Sequence, residues 1–108
     1  MSLPFEFQSQ KRLELVRVAH EMLEARMDLI EGVRRICGLR HQVGDPDNPV
    51  FMPIRAIDSE TDHFPIGQMR EGCDAEYLQR VDIEMNSYLE QAREDLRSAC
   101  REIILSFE

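Results

Sequence analysis

Residues 74–107 contain neither glycine nor proline, and this unbroken run limits the architecture more than any other feature. Along it Leu78, Val81, Met85, Leu89, Ala92, Leu96, Ala99 and Ile103 recur every three or four residues, as on one face of an α-helix. Tyr88, Cys100 and Ile104 lie beside that stripe. Asp74 is a good N-cap, with Ala75 and Glu76 in the first turn. The other face carries Arg80, Glu84, Glu90, Arg93, Glu94, Arg97 and Arg101, a solvated surface laced with short-range ion pairs. The pattern predicts an amphipathic helix over 74–107.

A second helical pattern precedes it. Leu13, Val16, Ala19, Leu23, Met27, Ile30, Val33 and Cys37 keep the same spacing, and Leu15, Met22, Leu29 and Ile36 widen the stripe. The spacing predicts one helix over 9–43, from an N-cap at Ser9, through Gly32 and Gly38, to a C-cap at Gly44. Residues 1–8 read as a tail. His20 falls at the border of this helix's core face, within reach of Glu24.

Between the two helices, punctuation dominates. Four of the five prolines (Pro46, Pro49, Pro53, Pro65) and Gly44, Gly67 and Gly72 fall in this part of the chain. Pro53 argues against a central strand, so "VFMPIRAI" (50–57) reads as irregular chain or a short edge strand. An ordered connection over 44–73 far exceeds the usual length of roughly 2–8 residues between helices, and long ordered loops are often functional.

The fold class that follows is all-α, in one domain of 108 residues. Two long antiparallel amphipathic helices, each about 45 Å long, are joined by a Pro/Gly-rich acidic segment with short helical turns. Two helices shield only part of such wide apolar faces. A homodimer forming a four-helix bundle is the economical remedy, and a monomer whose central segment folds over the hairpin is the alternative.

Charge narrows the partners. The formal net charge is −8, from 21 acidic and 13 basic residues, and twelve of the basic ones are arginine. Residues 41–74 hold seven acids and two arginines, so 7 − 2 places a net −5 there. Such a surface repels phosphate backbones and anionic membranes, which argues against nucleic acid and membrane and favours a basic protein surface or a cation. No apolar run of about 18 residues is present to span a membrane, and the N-terminus does not read as a signal peptide. Cys37, Cys73 and Cys100 are odd in number and far apart, which fits the reducing cytoplasm.

The candidate site is "IDSETDHFP" (57–65), where Asp58, Glu60 and Asp62 alternate and His63 follows. As a calcium loop it fails where glycine and glutamate are required, at His63 and Met69. Glu60 and His63 form one Glu-x-x-His pair, but carboxylate-bridged di-metal bundles need two such pairs with further carboxylates. Zinc would have to draw on Cys37, His41, His63 and Cys73 without a Cys-x-x-Cys motif. Neither a nucleophile elbow nor a phosphate loop is present. The local reading is a helix-starting turn: Ser59-Glu-Thr-Asp62 resembles a capping box, Asp58 suits an Asx-turn, and Arg55 and Arg70 flank the acids as partners.

"IDSETDHFPIGQMR" (57–70) resembles the central segment of a family of small uncharacterised bacterial helical proteins, in which an Ile-Asp-Ser-Glu-Thr-Asp core leads into Pro-x-Gly-x-x-Arg. The resemblance covers this segment well and the flanking helices loosely. It implies no activity and carries over no catalytic residue; it implies that the central segment is the distinctive part.

These observations favour a non-enzymatic, cytoplasmic, protein-binding or regulatory helical protein, of the kind that masks a basic toxin as an immunity protein or antitoxin does. Asp58, Glu60 and Asp62 would meet the basic patch, with His63 and Arg70 beside them. No catalytic residue, metal or cofactor is assigned. The rival from another class is a metal-dependent hydrolase or small-ligand enzyme, using Asp58, Glu60, Asp62 and His63 with Arg70 on an anionic substrate group.

Overall fold

The computed structural model describes residues 4–108, and all regular structure among them is helical. Four α-helices follow in order: α1 (Phe5–Leu23), α2 (Leu29–Gln42), α3 (Met52–Thr61) and α4 (Ala75–Phe107). Short 3-10 turns occupy Pro49–Phe51 and Gly67–Gly72. Of the expected tail, residues 1–3 lie outside the described residues. Residues 5–8 are already helical, because Pro4, with φ at −58°, is set for a helix start.

α4 forms where its unbroken period places it, and its length sets the molecule's long axis of 47 Å. The expected helix over 9–43 is instead divided at residues 24–28. Ala25 adopts φ +58°, the left-handed conformation that ends a helix. Its N–H donates to the Met22 carbonyl at 3.3 Å, and the Arg26 N–H donates to the Glu21 carbonyl at 2.8 Å. Those two bonds are a Schellman closure with alanine in the glycine's place. Asp28 then starts α2, its carboxylate accepting from the Glu31 N–H at 3.0 Å. From α4, Arg97 donates to the Leu23 carbonyl at 3.2 Å and ties the corner down.

The C-terminus of α2 closes the same way. The Gly44 N–H bonds the His41 carbonyl and the Asp45 N–H that of Arg40. Gly44 has φ +78°, a conformation that strains any residue with a Cβ, and an added Cβ would also stand 2.5 Å from the Gln8 side-chain amide of α1 and displace it.

The central segment holds a helix rather than an irregular cover. Asn48 accepts from the Val50 N–H at 3.0 Å to start the 3-10 turn, which leads into α3. Pro53 sits in the first turn of α3, where its missing N–H has no intrahelical partner to lose. "IDSET" is therefore the C-terminal half of a helix and not the start of one.

α1 packs on α2 and α4, α2 on α3, and α3 on α4, so the chain closes a ring of four helices around one core. Leu15, Val18, Ala19 and Met22 of α1 meet Val33, Ile36 and Leu39 of α2. Ile54 and Ile57 of α3 and Leu96, Ala99, Cys100, Ile103 and Phe107 of α4 complete it. Phe51, fully buried, stacks at a tilt 5.5 Å from Phe107, worth about 0.5–1.5 kcal/mol beyond the area it buries. Leu13, expected in the apolar stripe, is 74% exposed, because the burial face of α1 runs through Leu15 and Val18. Over the C-terminal half of α4 the apolar face is covered by α1 and α3 together. The N-terminal half of α4 buries only Val81.

Candidate functional site

The sequence brings Asp58, Glu60 and Asp62 close, but the helix separates them. Two residues in an α-helix subtend roughly 200°, so Glu60 points away from Asp58 and Asp62, which lie four apart toward one side. Asp58 turns toward α2, where it faces the Cys37 thiol. Burial first, and the Asp58 charge second, push that thiol up to about 11, so it stays protonated and unreactive near neutrality. Glu60 turns toward α4 and accepts a hydrogen bond from the Tyr88 hydroxyl. Asp62 is the exposed C-cap of α3.

His63 stands in solvent, its Nε2 3.6 Å from Glu84 and its Nδ1 4.0 Å from Asp62. Arg70 pairs with neither Glu60 nor any other expected acid. It forks onto Asp82, with N–O distances of 2.8 and 2.7 Å. That hydrogen bond holds the Asp82 carboxyl below its ordinary range. Arg55 lies 4.0 Å from Asp47 instead of beside the acids. The C-terminus of α3 is closed by an arginine with no expected role: Arg34 of α2 donates to the carbonyls of Thr61 at 2.8 Å and Phe64 at 3.1 Å. Thr61, fully buried, returns its hydroxyl to the Ile57 carbonyl at 2.7 Å.

The five expected residues thus do not form one site, although Glu60 and His63 come together at a common cavity. Among the described residues no three His, Cys, Asp or Glu side chains group to hold one metal ion. Cys100, the buried thiol of α4, is also pushed up to about 11, by desolvation.

Three of the five border cavities. Glu60 and His63 share one of about 430 Å³ with Glu84 and Tyr88, and Arg70 edges one of about 680 Å³ beside Asp28 and Asp82. Glu60 also lines the largest of these, an open groove of about 720 Å³ along the seam of α3 and α4. One wall is Pro49 and Val50 of the 3-10 turn with Pro53, Ala56, Ile57 and Glu60 of α3, and the α4 wall is Tyr88, Gln91, Ala92, Asp95, Ser98, Ala99 and Glu102. Glu60 meets Tyr88 and Phe51, just before α3, meets Phe107, so the walls run antiparallel. The floor is apolar and built of small side chains, with alanine at 56, 92 and 99. Three carboxylates edge it (Glu60, Asp95 and Glu102), and no lysine or arginine does. The Tyr88–Glu60 hydrogen bond crosses it at one end. Burial, then the Glu60 carboxylate, push the Tyr88 phenol up to about 12.

Asp95 and Glu102 belong to the part of α4 outside its apolar stripe and were not among the expected site residues. The readable signal was the run of small residues, Ala92, Ser98 and Ala99, at positions where a fully covered helix face carries larger ones.

A smaller cavity of about 420 Å³ lies at the α1–α2 corner against α4, lined by Met22, Met27, Leu89 and Leu96, with Arg93 and Arg97 at its edge. No helix among the described residues is long and apolar enough to cross a membrane. Comparison with protein-family models, curated proteins and solved structures finds no match for this chain.

Proposed function

We propose that this protein acts without catalysis, by binding a basic segment of another protein in the groove between α3 and α4. The observation that carries this reading is the make-up of the groove. An apolar floor whose only charged lining residues are acids favours a ligand with apolar contacts and positive charge. The chain's net charge of −8 adds long-range attraction for such a partner and repels nucleic acid. Masking a basic protein, as an antitoxin or immunity protein does, is a role consistent with that chemistry. The five residues first singled out contribute through Glu60; Asp58, Asp62, His63 and Arg70 lie outside the groove's lining. The hydrolase alternative requires those side chains to converge, whereas α3 turns Glu60 away from Asp58 and Arg70 is engaged by Asp82.

Self-association belongs to the proposal through a different surface. Met69, Tyr77 and Ile83 are exposed near the N-terminal half of α4, and a homodimer would cover them. Sedimentation at micromolar concentration tests it: a dimer supports the idea and a monomer removes it.

For the groove the test is charge reversal. Fluorescence anisotropy with a labelled oligolysine peptide should show binding that weakens with salt. Asp95 and Glu102 are both exposed, so Asp95→Lys with Glu102→Lys should leave the fold intact and cost about tenfold in affinity. Equal affinity of the double variant would overturn the reading.

A further inference from the structure

Resting on that reading, we infer that the groove's ligand is an amphipathic cationic α-helix supplied by another protein, lying along α4 as an additional helix of the bundle. The geometry points to a helix rather than an extended segment for three reasons.

The groove is straight and as long as a helix partner requires. Its α4 wall runs from Tyr88 to Glu102, about 21 Å at about 1.5 Å per residue. Tyr88, Ala92, Asp95, Ala99 and Glu102 are spaced alternately four and three residues apart, the spacing by which one helix receives the knobs of another.

The floor is also shallow where a backbone would approach. Alanines on both walls leave room for a helix to lie close and for its larger apolar residues to fill the space. Ala56 is exposed in the free protein, whereas Ala99 lies at the bottom of the groove.

Charge spacing gives the third reason. Asp95 and Glu102 are seven residues apart, or about 10 Å along α4. A partner helix meets both with cations seven residues apart, which share one of its faces. An extended segment would need them about three residues apart, at about 3.3 Å per residue. The described residues also include no strand whose edge an extended segment would extend. As occupant of this groove a second copy fits poorly, because the charged lining is all carboxylate and the chain has 21 acidic against 13 basic residues with which to meet it.

The experiment uses peptides of about 15 residues. The first carries a leucine–alanine stripe with lysines at seven-residue spacing. The second has the same composition with a proline placed centrally, and the third has glutamate for every lysine. Binding is read by anisotropy, and peptide helicity by circular dichroism. The first peptide should bind at least about tenfold more tightly than the second and gain helicity on binding. Ala56→Arg, a change at an exposed helix position, should weaken it by about tenfold while the protein's own spectrum is unchanged. Equal binding of the proline peptide would overturn the helical inference and leave the reading of a basic ligand in place. Binding of the glutamate peptide as tight as that of the lysine peptide would overturn both. An unaffected Ala56→Arg variant would place any binding outside the groove and overturn the inference. So would self-association of the free protein that the Asp95→Lys, Glu102→Lys pair abolishes, because a second copy would then be the occupant.

Discussion

Tyr88 of α4 donates its phenolic hydroxyl to the Glu60 carboxylate of α3, joining the two walls of the groove at one end. The bond adds a polar tie at the surface to two helices that share a core through Ile54 and Ile57 of α3 and Leu96 and Ile103 of α4. It also gives Glu60, alone among the acids first noticed in the sequence, a defined partner across the groove.

Tyr88→Phe removes that bond and keeps the ring. It should lower stability by about 1 kcal/mol in urea unfolding. The phenol is raised from 10.0 to about 12 in the folded state. The folded protein therefore retains the proton longer than the unfolded chain. This contribution is complete below pH 10 and is lost as pH rises through about 12. A difference titration of tyrosinate absorbance between wild type and Tyr88→Phe should place the missing transition above 10.

Ala25 ends α1 in the left-handed conformation, where its Cβ is strained. Ala25→Gly should stabilise the protein by about 0.5–1 kcal/mol, read as a higher urea midpoint at unchanged slope. A lower midpoint would show that the corner is held otherwise.

Two glycines of α2 should respond with opposite sign. A Cβ at Gly32 would stand 2.4 Å from the Met22 sulfur and 2.6 Å from its Cγ, inside the core. Gly32→Ala should therefore cost about 1–2 kcal/mol after its gain in helix propensity. At Gly38 a Cβ meets nothing within 4 Å, so Gly38→Ala should gain about 0.5–1 kcal/mol. Thermal unfolding of the two variants checks both signs.

Arginines that the sequence places alike should separate in unfolding experiments. Arg34 is partly buried and closes α3 through two carbonyls. Arg34→Met should cost about 2 kcal/mol. Arg55 makes one long ion pair, 4.0 Å from the exposed Asp47, and Arg55→Ala should stay within about 0.5 kcal/mol of wild type.

The sequence made α4 legible because nothing in residues 74–107 competes with its period. The break at 24–28 was hidden by the alanine at position 25, where glycine is the usual signal. Asp28-x-x-Glu31 was a readable helix start, outweighed by an apolar period that continues across the corner. α3 was obscured by Pro53, which disfavours a helix interior but suits a first turn. The acids at 58, 60 and 62 looked like a cluster because they are close in the chain. Helical geometry turns Asp58 toward α2 and Glu60 toward α4, and leaves Asp62 as the exposed cap. The groove depends on bringing Glu60 opposite residues of α4, a pairing that no local pattern encodes.

The most direct test of the central claim is nuclear magnetic resonance of the labelled protein during titration with the amphipathic cationic peptide. Amide shift changes should concentrate at residues 49–60 and 88–102 and saturate together, as one site on two antiparallel walls. Changes confined to the corner around Met22, Met27 and Leu29, or spread evenly over the acidic surface, would contradict the account.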